Sequence, residues 1–183
     1  VGNKWIDWLK ALFIAILLAV VVRILLFAPV VVEGPSMLPT LHNGDHLIVN
    51  KVNYMIGEPD RFDIVVFHAT ADKDYIKRVI GLPGEHVSVS NDQLFIDGEP
   101  VDEPFLEERK NGLSNGNVLT RDFTLEGLPG TTEDTIPEGY VLVLGDNRNN
   151  STDSRMLGLI PYEQIVGEAQ FVYFPFNRIR YLN

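Results

Sequence analysis

The sequence of 183 residues contains no cysteine. Disulfide staples, thiolate metal sites and a cysteine nucleophile are therefore excluded. That absence does not fix the compartment, because a disulfide-free chain can work on either side of a membrane. Positive charge is also scarce: Lys and Arg number 15 against 25 Asp and Glu, a net charge of −10. Residues 1–32 hold Lys4, Lys10 and Arg23 against Asp7, so the rest of the chain carries −12. A body this acidic is a poor binder of nucleic acid. It would also be repelled by anionic lipid unless it were tethered. There is no Gly-x-Ser-x-Gly elbow, no His-Glu-x-x-His helix, no Walker loop and no Ser-x-x-Lys. Four histidines (His42, His46, His68 and His86) are scattered without metal-ligand spacing. Asp146–Asp153 is a poor calcium loop, because Arg148 takes the third ligand place and Ser151 the place of the obligatory glycine. No metal and no cofactor is expected.

What is present begins with a long apolar run. Trp5–Phe27 reads WIDWLKALFIAILLAVVVRILLF. As a helix it would measure about 34 Å, enough for a hydrocarbon core of about 30 Å. Ala11–Val22 has no polar residue, and a helix apolar on every face for that length is rarely a globular core helix. Trp5, Trp8, Lys4 and Lys10 fit one interface, and Arg23 in the last turn would snorkel to the other. Pro29 is expected to stop the helix. A cleaved signal peptide would need a small-x-small site after the apolar core, and Leu-Phe-Ala-Pro-Val-Val-Val-Glu offers none. The expected organisation is a cytoplasmic tail at 1–4, a transmembrane anchor at 5–28 and an extracytoplasmic body at 29–183. The basic residues before the span and Glu33 after it set that orientation.

With 45% hydrophobic and 22% charged residues the chain is globular, and 15 Gly with 11 Pro favour a turn-rich β fold. Short runs rich in Val, Ile, Phe and Tyr recur at Val30–Glu33, His46–Lys51, Asp63–His68, Tyr75–Ile80, His86–Ser90, Gln93–Asp97, Tyr140–Leu144 and Ala169–Phe174. Asn91-Asp92 reads as a hairpin turn. No amphipathic helical pattern of useful length follows residue 33. The fold class is mainly β, with antiparallel sheets. Residues 97–138 hold eleven acids against Arg109, Lys110 and Arg121. They read as an irregular acidic insertion whose charges form a solvated surface.

Three segments carry candidate chemistry. In EGPSMLPTL (Glu33–Leu41), Pro35 and Pro39 bracket Ser36 and stiffen a turn that aims a hydroxyl and its own N–H in one direction. The same residues also make an ordinary linker. In DYIKRVIGLPGE (Asp74–Glu85), alternation places Tyr75, Lys77 and Val79 on one strand face. An amine between apolar neighbours loses solvation, and to serve as a base its pKa must fall by roughly two pH units from about 10.4. An exposed strand lysine fits the same pattern. GDNRNNSTDSR (Gly145–Arg155) follows the apolar strand Tyr140–Leu144 and makes either a hydrogen-bonding platform or a polar surface loop.

In this order behind an anchor, SMLPTL, GDHLIVNK, YIKRVIGLPGE and GDNRNNSTDSR resemble bacterial type I signal peptidases, the Gram-positive single-anchor kind above all. The resemblance runs from Trp5 to about Phe174. It implies a fold shared with self-cleaving repressors and cleavage of secreted preproteins after a small-x-small motif. It implies Ser36 as nucleophile and Lys77 as general base. Ser151 would orient the lysine, and Asp146, Asp153, Arg155 and Arg78 would form an ion-pair scaffold. Met37, after the nucleophile, would lie on an apolar surface facing the membrane. Some Gram-negative relatives have a serine two places before the nucleophile as a second oxyanion donor; here that place is Gly34. Signal peptides and membrane lipid are the implied partners, and the protein-export machinery is a further candidate. The competing readings are a soluble repressor, disfavoured by the anchor and the acidic body, and a catalytically inactive anchored β-domain that binds exported proteins. The Ser36–Lys77 separation discriminates the last from an enzyme.

Overall fold

A computed structural model of the chain describes residues 4–52, 54, 57–70, 72–113 and 117–182, with the backbone alone at 23–25. Residues 1–3 of the expected cytoplasmic tail and the snorkelling side chain of Arg23 lie outside the described residues.

Helix α1 spans Lys4–Leu26, 23 residues, and nearly all its described side chains are exposed. Among the described residues it is the one helix long and apolar enough to cross a membrane. The chain passes from α1 directly into strand β1 (Phe27–Val31). Pro29 therefore does not terminate the helix but sits inside β1. It is tolerated because β1 is an edge strand, where a missing N–H costs no ladder bond.

Eight strands form the larger sheet, in the order β1, β2 (His46–Asn50), β11 (Ile165–Phe174), β3 (Ile64–Thr70), β4 (Lys73–Gly81), β9 (Tyr140–Leu144) and β10 (Ile160–Pro161); β12 (Arg180–Tyr181) pairs with β11. The smaller sheet has the order β7 (Glu99–Val101), β6 (Gln93–Ile96), β5 (Val87–Ser90) and β8 (Phe123–Thr124). All pairings are antiparallel. The body also holds the short helices α2 (Glu107–Asn111) and α3 (Ser154–Leu157). The Asn91-Asp92 turn joins β5 to β6 with φ of 51° and 63°, the backbone a two-residue hairpin demands.

The apolar runs are continuous because the central strands are covered on both faces. In β3, Val65 and Phe67 pack with Val79, Val141 and Val143, while Ile64 and Val66 pack with Leu41, Leu47, Val49 and Val172. Ile80, Leu142 and Leu144 meet Val87, Leu94 and Leu125 between the two sheets.

The acidic stretch 97–138 is only in part a solvated surface. Ten of its eleven acids are exposed, and Glu103 is buried. Leu106, Leu119, Leu125, Leu128 and Ile136 are buried as well, so the stretch supplies core as well as charge. Its apolar residues are too widely spaced to read as strand or helix.

Candidate active site

Lys77 owes its place to β4. Val65 of β3 lies opposite it, and β9 joins the other edge of β4 only from Arg78 onward. The chain leaves β9 at Leu144 and runs through Gly145–Arg155, so polar groups gather at the point where β4 becomes single-sided. Gly145 is required there: a Cβ would lie 2.6 Å from the Ser36 carbonyl oxygen and 2.2 Å from Ser151 Oγ.

Ser36 lies in the loop between β1 and β2. The Leu38 N–H donates to Pro35 O at 3.1 Å and the Leu41 N–H to Met37 O at 2.8 Å, which winds the segment between the two prolines into successive turns. The Asn147 N–H donates to Ser36 O at 2.9 Å, and Asn147 Nδ2 to Pro35 O at 3.0 Å. No acceptor faces the Ser36 N–H among the described residues.

These constraints bring the two candidates together. Lys77 Nζ donates to Ser36 Oγ at 3.0 Å and to Ile76 O at 2.8 Å. It lies 5.0 Å from the centre of the Tyr75 ring. The side chain is 3% exposed, and that burial lowers its pKa from 10.5 to about 8, against the opposing pull of Asp153 and Asp146. The pair opens onto a cleft of about 330 Å³ between Val30–Met37 and Asp74–Lys77, with Asn150 and Thr152 at its rim.

Asp146 and Arg78 form a buried bidentate pair, with Nε–Oδ1 of 2.9 Å and Nη2–Oδ2 of 2.8 Å. Thr40 Oγ1 also donates to Asp146 Oδ2, which ties the Ser36 loop to the residue after Lys77. Arg155 grips Asp153 through two bonds of 2.8 Å. Burial pushes the Asp153 carboxyl up, but Arg155 and the Gly145 N–H outweigh it and hold it below the ordinary carboxylate range. Asp153 also caps α3 through the Arg155 N–H.

Two expectations need correction. Met37 does not face the membrane: it is 1% exposed and packs with Val32, Leu41 and Leu47, because the turn after Ser36 folds it under the loop. Among the described residues Ser151 Oγ makes no hydrogen bond to Lys77; Lys77 Nζ donates instead to Ile76 O at 2.8 Å, and the Ser151 hydroxyl helps to lower the Asp153 carboxyl. Gly34, which has no hydroxyl to offer, also has its N–H engaged by Asn43 Oδ1 at 2.9 Å, so a second oxyanion donor would come from other backbone or from water. Its φ of 86° also disfavours a serine there.

Asn147, Thr40, Arg109 and the buried Glu103–Arg148 pair had no assigned role. Arg109 on α2 donates from Nη1 to Asn147 Oδ1 at 2.6 Å and to Leu38 O at 3.2 Å. Arg148 joins the platform to the insertion through Glu103 and Thr120. Asn147 and Arg148 stood inside the Gly145–Arg155 segment. Arg109 was one of three bases in an acidic stretch, the only signal available. Among the described residues no group of His, Asp and Glu is arranged to hold a metal.

The family model "Signal peptidase, peptidase S26" matches residues 5–174. The chain belongs to that family. Signal peptidase I of Bacillus caldolyticus is 47% identical over 98% of this chain and 94% of its own length. Signal peptidase IB of Staphylococcus aureus (strain MRSA252) is 38% identical over 98% and 94%. The crystal structure of a signal peptidase I from Enterococcus faecalis V583 is similar with a TM-score of 0.57 and 42% identity, covering 61% of this chain and 96% of that one. The sequence expectations of a β-rich fold, a peptidase and signal-peptide processing are borne out. The apolar α1 fits a membrane-anchored member of the family.

Proposed function

We propose that the peptidase works through a Ser36–Lys77 dyad on signal peptides of secreted preproteins. The observation that carries this is the 3.0 Å approach of a buried, solvent-depleted amine to the serine hydroxyl. Neutral Lys77 takes the Ser36 proton as Oγ attacks the scissile carbonyl carbon. The unoccupied Ser36 N–H donates to the developing oxyanion. Lys77 then returns the proton to the leaving amine, and water repeats the sequence on the acyl-enzyme. Asp146 with Arg78, and Asp153 with Arg155, hold the frame.

The cleft suits an extended peptide, since β1 and the first half of β4 border it with unpaired edges. Alternate side chains of such a peptide enter the protein together, which matches small residues at −1 and −3. The anchor at 5–28 holds residues 29–183 outside the membrane, with the amino end cytoplasmic. Ser36 is nine residues past Phe27, within about 30 Å of the bilayer when fully extended. Membrane lipid and the export machinery are the accompanying partners. The inactive binding-domain reading is disfavoured, because such a domain has no need of a lysine desolvated against a serine.

Ser36→Ala and Lys77→Ala are each expected to reduce cleavage of a preprotein by at least about 10³-fold, and the double variant to be scarcely worse. A serine-acylating warhead should label the native chain and not Ser36→Ala. Labelling that survives that substitution, or multiplicative losses in the double variant, would sink the dyad.

A further inference from the structure

The family match ends at Phe174, yet residues 175–182 return to the loop that carries Ser36. The turn Phe176–Arg178 reverses the chain, and β12 then lies on β11 with Arg180 opposite Val172 and Tyr181 opposite Phe171. Two arginines of this segment reach inward. Arg178 donates to Asp45 Oδ1 from Nε at 2.8 Å, and its Nη2 lies 2.7 Å from the same oxygen. Arg180 Nη2 donates to the Thr40 carbonyl.

The residues they hold close the Ser36 loop. Asp45 is fully buried. Its Oδ2 accepts from the His42 N–H at 2.9 Å, and its main-chain carbonyl accepts from the Val32 N–H at 2.8 Å. One residue thus joins both ends of the loop, and its carboxylate is neutralised from the tail. Thr40 is held from two sides: its hydroxyl goes to Asp146 and its carbonyl to Arg180. A buried carboxylate that loses its cation draws in water or a proton, and either opens the base of the loop.

We infer that residues 175–182 form a carboxy-terminal latch in which Arg178 and Arg180, acting through Asp45 and Thr40, position the Ser36 loop. Neither arginine contacts Ser36 or Lys77, so both are positioning residues. The inference rests on Ser36 being the nucleophile. It adds a requirement that the matched region 5–174 does not contain.

The test uses the full chain in detergent and a peptide substrate with alanine at −1 and −3. Arg178→Ala should lower kcat by about 10²-fold, the cost of a misplaced reacting group. KM should change by less than about threefold, since the cleft is untouched. Warhead labelling of Ser36 should slow in parallel, and Arg178→Lys should recover part of the rate. Asp45→Asn combined with Arg178→Ala should be no slower than Arg178→Ala alone. Arg180→Ala, which leaves Asp45 paired, should lower kcat by about tenfold and serves as the readout where Arg178→Ala does not fold. Wild-type kcat in folded Arg178→Ala or Arg180→Ala, with only Tm reduced, would overturn the latch. Ser36→Ala run alongside separates the two claims. If it is active, the nucleophile assignment fails. If it is inactive while the arginine variants are fully active, only the latch fails.

Discussion

Lys77 and Ser36 meet at 3.0 Å by two different kinds of structure. Lys77 stands in a strand whose register is set by ladder bonds to β3 and whose surroundings are packed apolar side chains. Ser36 stands in an irregular loop without ladder bonds, held by side chains and peptides from distant parts of the chain. The difference divides the work. Packing on the strand side sets the chemistry of the proposed base, because burial lowers the amine to about 8. Tethers on the loop side set only the position of the proposed nucleophile, whose hydroxyl needs no unusual environment once a base is within reach.

The residue that joins the two sides should be the most damaging to lose outside the dyad. Asp146 neutralises Arg78 on β4 and accepts from Thr40 in the loop. Asp146→Ala takes from a guanidinium that is 1% exposed the carboxylate that grips it through two hydrogen bonds. Breaking such a pair costs about 3–5 kcal/mol of stability. Asp153→Ala should cost less, because Arg155 is 19% exposed and can turn towards water. Denaturant titration of both variants checks the order, and an Asp153 loss equal to or larger than the Asp146 loss would break the distinction.

The strand side predicts a trade between stability and activity. Holding Lys77 at about 8 against 10.5 disfavours its ammonium by roughly 3 kcal/mol. Between about 8 and 10.5 the unfolded chain binds more protons at this residue than the folded one, so stability rises with pH across that window. Below about 8 the penalty is present in full. Lys77→Met should therefore be inactive yet more stable than the native chain at pH 7, by up to about 3 kcal/mol, with the gap closing towards pH 10.5. Activity of the native chain should rise through pH 8 because the neutral amine is the proposed working form. Replacing His42, His46, His68 and His86 in turn should leave that limb in place. A limb that vanishes with one histidine would move the base away from Lys77.

The same division explains what could be read from the sequence. The strand side was legible: alternation in DYIKRVIGLPGE put Lys77 beside Tyr75 and Val79, and the structure has Nζ 5.0 Å from the Tyr75 ring. The long apolar helix and the Asn91-Asp92 hairpin are legible too, because each is decided by residues next to one another. The loop side was not. Asn147 reaches Pro35 across 112 positions, and Arg109 reaches Asn147 across 38. No local pattern encodes such pairings. Met37 failed for a related reason: an apolar residue beside a nucleophile could face lipid or core, and only the path of the loop decides. Pro29 reads as a helix stop in sequence, whereas its place in β1 depends on that strand having one neighbour.

The smallest effect tests whether the tethers are additive parts or a single clamp. Asn147 holds the loop by two routes, its own N–H to Ser36 O and its Nδ2 to Pro35 O, and Arg109 steadies the amide from the other side. Asn147→Ala keeps the main-chain bond and removes the other two. With about 1 kcal/mol for each lost hydrogen bond, stability should fall by about 1–2 kcal/mol and kcat by about tenfold. Asn147→Asp separates the two side-chain contacts. The carboxylate still accepts from Arg109, with charge assistance, but can no longer donate to Pro35 O. If the Pro35 bond is what places Ser36, the aspartate variant should keep nearly native Tm and still lose about tenfold in kcat. If instead Arg109 and Asn147 act as one brace, the aspartate variant should keep both Tm and rate, and the position of Ser36 then rests on the insertion rather than on its own turn.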